Sequence, residues 1–100
     1  MTSAGNGFLY EVKLSEKIKQ TIKQLHQQAA HQGEGKRFLA ALRTIHDRLR
    51  KDATNFGEPL FHLRALKLMV YQVVILPVVV IYVVHEEKPL VFLKSVKLLS

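Results

Sequence analysis

The first half of the chain repeats apolar residues at a helical spacing. In two successive sets the apolar positions are four, three and four residues apart, which places each set on one face of an α-helix. The sets are Ile18, Ile22, Leu25 and Ala29, then Phe38, Leu42, Ile45 and Leu49. The pattern predicts a helix from Ser15, a favourable N-cap, to about Gln32. A second helix follows the tight turn that Gly33-Glu34-Gly35 permits, so the two helices form an antiparallel hairpin.

The other apolar segments have the length and composition of β-strands. Alternation in FLYEVKL predicts a first strand at residues 8–14, before the helices. Three more strands are predicted at about residues 66–75, 78–84 and 90–97, and the turn HEEKP separates the last two. DATNFGEP at residues 52–59 predicts a connector between the second helix and these strands. Proline cannot donate to a central ladder, so Leu76-Pro77 is either a tight turn or a bulge.

Together the elements predict an α+β fold in the order β-α-α-β-β-β. We expect the helical hairpin to pack on one face of a four-stranded, mainly antiparallel sheet. Residues 8–100 form one domain behind a flexible tail at residues 1–7. The run at 78–84 is apolar on both faces, which predicts a central strand covered on each side. The hairpin supplies one cover, and the other is the curl of the sheet, a dimer mate or a bound partner peptide.

The charge of the chain narrows the classes of partner. The net charge is +7, and residues 1–52 carry ten basic and five acidic side chains. A basic helical half favours nucleic acid, the ribosome or an acidic protein partner, although a solvated lysine-rich surface gives the same composition. The apolar block at 73–84 is twelve residues long and broken by Pro77, against about 20 for a membrane-spanning helix. We therefore expect a cytoplasmic protein that does not span a membrane.

Metal and cofactor sites are not expected. The chain has no cysteine, which excludes thiolate ligands and disulfides. His26 and His31 are five residues apart, whereas a metal pair on a helix needs a spacing of three or four. The HEE run at 85–87 could be a metal or acid–base group, but its place between two strands also fits a solvated hairpin turn.

A few aromatic and basic side chains are candidates for RNA contacts. Tyr71 and Tyr82 lie on adjacent predicted strands and could stack a base, or they could pack within the sheet. Arg43 and Arg50 on the second helix could contact phosphates, or they could belong to a solvated face. The candidates for RNA binding are therefore Tyr71, Arg43 and Arg50.

Two stretches carry a family resemblance. In FLAALRTIHDRLRKDATNFGEPLFHLRAL, at residues 38–66, the second helix leads to a turn at Leu63-Arg64-Ala65. In VVVIYVVHEEKPLVFLKSV, at residues 78–96, a strand that ends in a tyrosine is followed by an acidic turn and a further apolar strand. With the order of the elements, these stretches resemble the RelE/ParE superfamily of bacterial toxins over about residues 8–98.

The resemblance implies a toxin component of a type II toxin–antitoxin pair, of the kind that stabilises plasmids. One branch of the superfamily cleaves ribosome-bound mRNA without a metal, and another inhibits DNA gyrase. The resemblance also implies a cognate antitoxin that covers exposed apolar surface of the toxin. In the nuclease branch, lysines and arginines on the sheet activate the ribose 2′-hydroxyl and stabilise the phosphorane.

The residues at the nuclease positions depart from that pattern. With Tyr82 aligned to the strand-ending tyrosine, the expected arginine falls on Val79, and the expected lysine pair falls in VYQV at 70–73. The expected basic pair after the last strand falls near Leu98 and Leu99. The catalytic residues of the nuclease branch are therefore not carried over, and the sequence fits action by binding at least as well as action by cleavage. If the chain does cleave, it would be a metal-independent, ribosome-dependent endoribonuclease.

Four cations in the sheet half remain as candidate catalytic residues: Arg64, Lys67, Lys94 and Lys97. The alternative to a toxin is a non-catalytic interaction module of the same fold, which binds a partner or forms a homodimer through the apolar sheet.

Overall fold

The computed structural model describes residues 9–99, so the predicted tail at 1–7 lies outside the described residues. Within this range the fold is α+β, with two helices packed on a mixed five-stranded sheet. The elements are β1 (Glu11–Lys13), α1 (Glu16–His31), α2 (Gly35–Phe56), β2 (Glu58–Leu63), β3 (Leu68–Ile75), β4 (Val78–His85) and β5 (Leu90–Leu98). A short 3₁₀ turn at Arg64–Leu66 joins β2 to β3.

The helical hairpin forms as its apolar spacing predicts. The Ser15 side chain caps α1 by accepting a hydrogen bond from the Ile18 N–H at 3.1 Å. Gly33 turns the chain with a φ of 76°, a conformation that glycine adopts without steric cost. The predicted apolar face of α2 is buried, with Phe38, Ile45 and Leu49 at most 1% exposed.

The sheet has the order β1-β5-β4-β3-β2, which makes β4 the central strand, as predicted. β1 pairs with β5 in parallel, and the other neighbours are antiparallel. Val78, Val80 and Tyr82 of β4 point towards the helices and are fully buried. Ile75 pairs with Val78, so Leu76-Pro77, whose peptide bond is cis, is a tight turn rather than a bulge.

The prediction of four strands was wrong, because β2 adds a fifth at the edge. All six residues of β2 are exposed, so EPLFHL lacks the alternation that marks a half-buried strand. Pro59 also argues against a strand, but proline is tolerated at a sheet edge. A register shift between Pro59 and Phe61 makes the strand irregular as well.

The predicted connector at 52–59 was wrong except at Gly57, because α2 continues to Phe56 beyond a kink at Asp52 and β2 begins at Glu58. Two contacts hold this last turn on the sheet. Ala53 is fully buried, and the Tyr82 hydroxyl donates a hydrogen bond to the Ala53 carbonyl at 2.8 Å. The same hydroxyl accepts the Gly57 N–H at 2.9 Å, so one phenol joins the helix end to the start of β2.

No helix within residues 9–99 is both long and apolar enough to cross a membrane.

Candidate interaction surface and polar cleft

The face of the sheet that points away from the helices, the outer face, is largely apolar. The register places Phe61, Val70, Val83 and Phe92 in one row across β2 to β5. Neighbouring rows bring further apolar residues to the same face. One row contains Leu63 and Leu68, a second contains Ile81 between Gln72 and Ser95, and a third contains Val74 and Val79 beside Lys97. No helix of the described chain covers this face.

The middle of the outer face is covered and its flanks are open. Val70 and Val83 are 2% and 8% exposed, although neither belongs to the core beneath the helices. Neighbouring side chains therefore cover the middle of this face. Phe61 and Phe92, at the two ends of the row, remain 55% and 38% exposed. Exposed aromatic side chains around an apolar floor are typical of protein interfaces.

The outer face is formally neutral, although the chain carries +7. By register, its charged side chains are Lys13, Lys97, Glu11 and Glu58. Lys13 and Glu11 form an exposed ion pair at 3.1 Å. The positive charge of the molecule therefore lies on the helices, the turns and Lys94 of β5 rather than on this face.

A polar cleft lies at the end of the sheet where β2 turns into β3. Its volume is about 370 Å³, and its polar lining consists of Tyr10, Thr54, His62, Tyr71, His85 and Glu86. His62 Nε2 lies 2.8 Å from Glu86 Oε2, which links the edge strand to the turn after β4. His85 Nδ1 accepts hydrogen bonds from the backbone N–H groups of Glu87 and Lys88, which leaves Nε2 to carry the proton of the neutral ring.

Tyr71 enters this cleft from the core. Its ring is 7% exposed and stacks on the Tyr82 ring with the centroids 5.2 Å apart. Burial raises the pKa of Tyr71, and the nearby Tyr10 and Glu86 raise it further. Tyr82 occupies one face of the ring, so the structure places Tyr71 as a packed residue at the base of the cleft.

The candidate catalytic cations are not brought together. Arg64 and Lys67 lie in the turn between β2 and β3, where Lys67 Nζ binds Glu87 Oε2 at 2.9 Å. Lys97 pairs with Val79 on the outer face, about 20 Å along the sheet from this turn. Lys94 is the extra residue at a register shift in β5 and lines a separate cleft beside the start of α1.

Arg43 and Arg50 lie on the exposed side of α2. Their separation of seven residues places them on nearly the same side of the helix, about 10 Å apart. Neither forms an ion pair with the residues that the structure describes.

Sequence reasoning missed the pairing of His62 with Glu86. The two residues are distant in the sequence, and His62 belongs to the strand that was not predicted. The HEE run was recognised as a solvated turn or an acid–base group, and the structure gives its first glutamate a histidine partner. Within residues 9–99 no group of three or more histidine, aspartate and glutamate side chains is arranged to hold a metal ion.

A scan against protein-family models, a search of curated proteins and a search of solved structures found no match to this chain.

Proposed function

We propose that the chain is a toxin-like component of a type II toxin–antitoxin pair, with the RelE/ParE arrangement and a cytoplasmic site of action. The observation that carries the proposal is the outer face of the sheet, whose aromatic flanks are open. A cognate antitoxin that packs on this face would bury Phe61 and Phe92. The order of strand, two helices and successive antiparallel strands supports the arrangement, with β2 as an additional edge strand.

The proposed mode of action is binding rather than cleavage. General acid–base cleavage of RNA needs several groups within reach of one phosphate. Lys97 lies about 20 Å along the sheet from the turn that carries Arg64 and Lys67, so these candidate cations cannot reach one phosphate together. The two candidate targets are the ribosome with its mRNA and DNA gyrase.

Induced expression in a bacterial host tests the proposal. We expect the chain alone to stop growth, and co-expression of the small open reading frame beside its gene to restore it. Normal growth with strong, soluble expression would overturn the toxin assignment. Where growth stops, toeprinting of mRNA on ribosomes separates the two modes, because binding leaves the message intact and cleavage shortens it.

A second candidate function, a homodimeric interaction module, is favoured by the neutral charge of the outer face. Two copies that carry +7 each repel one another, but they can meet through a face whose lysines and glutamates cancel. Four strands about 4.8 Å apart and about 26 Å long give a projected area on the order of 500 Å² per copy. Only a small, flat face is therefore offered to a second copy, so we expect a concentration-dependent dimer.

Sedimentation equilibrium tests the second candidate. We expect a concentration-dependent dimer that Phe92→Glu converts to a monomer. Leu39→Glu is the matched control, because Leu39 is similarly exposed but lies on α2, away from the outer face. A wild-type chain that stays monomeric at millimolar concentration, or a dimer lost only in the control, would exclude dimerisation through this face.

A further inference from the structure

An apolar cleft with no assigned role lies between the two helices and the sheet. It has a volume of about 320 Å³. Its floor includes Ile45 and Leu49 of α2, which are 1% and 0% exposed, so the cleft reaches the core. The aliphatic walls are formed by Leu14, Ile22, Leu39, Leu42 and Leu93. This volume and lining are typical of small-molecule sites, which are mostly apolar with a few polar groups that orient the ligand.

The polar lining of the cleft is cationic or neutral. Arg43 and His46, three residues apart on α2, complete the lining, and no acidic side chain of residues 9–99 contributes to it. Asp47, one turn beyond Arg43, is held by Lys51 at 3.1 Å. Arg43 forms no ion pair within the described chain, so its guanidinium is available to an anion at the mouth of the cleft.

We propose that this cleft binds a small amphipathic carboxylate of the medium-chain fatty acid class. The aliphatic tail would lie against Ile22, Leu42 and Leu93, and the Arg43 guanidinium would bind the carboxylate in a bidentate pair. A neutral lipid would leave Arg43 without a counter-ion, and a cationic one would be repelled. The site is on the helix side of the sheet and is independent of the function proposed for the outer face.

NMR titration of the full chain with decanoate tests the proposal. We expect saturable shifts of the backbone amides of Ile22, Leu42 and Leu93 at concentrations below the micelle range. Decanol should bind at least several-fold more weakly, because it lacks the charge that Arg43 recognises. Decyltrimethylammonium should not produce these shifts. Equal binding of all three probes, or no saturable binding of decanoate, would overturn the proposal.

Three variants distinguish decanoate binding in the cleft from general electrostatic attraction of decanoate to a basic protein. Arg43→Gln should weaken decanoate binding about tenfold, whereas Arg50→Gln, which removes the same charge from the same helix outside the cleft, should not change it. Leu39→Glu adds a repelling carboxylate at a residue that is 41% exposed, so it should abolish binding with little change in Tm. Equal losses in Arg43→Gln and Arg50→Gln would show that net charge alone attracts the ligand, and would overturn the site. An acidic apolar peptide that shifts the same amides while decanoate does not would equally overturn it.

Discussion

At the residue scale, Tyr82 joins the end of α2, the start of β2 and the strand β3. Its hydroxyl donates to the Ala53 carbonyl and accepts the Gly57 N–H, and its ring packs on Tyr71. We expect Tyr82→Phe to leave the buried Ala53 carbonyl and the part-buried Gly57 N–H without this partner and to lower the free energy of unfolding by about 1–3 kcal/mol. Urea denaturation measures this change. Tyr71→Phe keeps both bonds and is the matched control, so an equal loss in both variants would contradict the assignment.

Tyr82 also predicts a loss of stability in alkali. Burial raises its pKa from 10.0 to about 12, and the bond from the Gly57 N–H only partly opposes this. Between these pH values the unfolded phenol ionises while the folded one keeps its proton, so the folded state loses stability as the pH rises through this range. We expect the free energy of unfolding to fall from pH 10 towards 12, and less steeply in Tyr82→Phe. Identical slopes in the two proteins would assign the loss to other groups.

Glycine is required at position 57 because neighbouring atoms leave no room for a Cβ, and not because of its backbone angles. A Cβ at this position would lie 2.7 Å from the Tyr82 hydroxyl oxygen and 2.8 Å from the Gln72 carbonyl oxygen. We expect Gly57→Ala to destabilise the chain by about 1–3 kcal/mol, as overpacking does. Combined with Tyr82→Phe, which removes one of the two clashing atoms, the change should cost less than the sum of the single variants. Strict additivity in thermal unfolding would show that Gly57 and Tyr82 do not interact in this way.

At the element scale, two side-chain pairs and one backbone bond hold the β2–β3 turn against the β4–β5 turn. His62 binds Glu86, Lys67 binds Glu87, and the Glu86 N–H donates to the Lys67 carbonyl at 2.9 Å. Exposed ion pairs add little to global stability, so Glu86→Gln with Glu87→Gln should change the free energy of unfolding by less than about 1 kcal/mol. We expect a larger effect on the local opening of β2, because β2 is an edge strand whose residues are all exposed.

We therefore expect the double glutamine variant to show faster exchange than the wild type at those amide hydrogens within residues 61–63 that bond to β3, since alternate N–H groups of an edge strand face the solvent. Amides of the central strand β4 should keep their protection and serve as the internal control. Native-state hydrogen exchange measures both. Unchanged exchange in β2 would show that its pairing with β3 alone holds the edge.

The elements that could be predicted from the sequence are those that bury one face. The four-three-four spacing identified both helices, because Ile18, Phe38 and Ile45 meet the core as that period requires. β2 could not be predicted, since a strand with no buried residue leaves no alternation in the sequence. The last turn of α2 was missed because Asp52 and Asn55 are turn-forming residues, whereas burial of Ala53 and its bond to Tyr82 keep the segment helical. Tertiary contacts override local propensity at both places.

The candidate sites were less predictable than the fold. The strand at 78–84 indicated an apolar second face, and the structure shows such a face with Phe61 and Phe92 open at its flanks. Its neutral charge depends on register, which places Glu11, Lys13, Glu58 and Lys97 on the same face. The pair of His62 and Glu86 depends on the strand that was missed. Composition and spacing do not show which residues that are distant in the sequence meet in the folded chain.

At the scale of the whole molecule, charge and apolar surface are separated. The excess of +7 lies on the helices, the turns and Lys94 of β5, while the outer face is formally neutral and largely apolar. This separation suits a protein that is held by a partner on one side and presents a basic surface on the other. In the function proposed above, the cognate antitoxin neutralises the chain by packing on the outer face.

The most direct test of the role of the outer face compares the growth of a bacterial host that expresses the wild type with one that expresses the Phe61→Glu, Phe92→Glu double variant. Both residues are exposed, so the double variant should fold, which circular dichroism can check. We predict that the wild type stops growth unless the neighbouring small open reading frame is co-expressed, and that the double variant stops growth in both conditions, because the antitoxin can no longer pack on the outer face. Rescue of the folded double variant by co-expression would exclude the outer face as the antitoxin surface, and unimpaired growth with soluble wild type would exclude the toxin function.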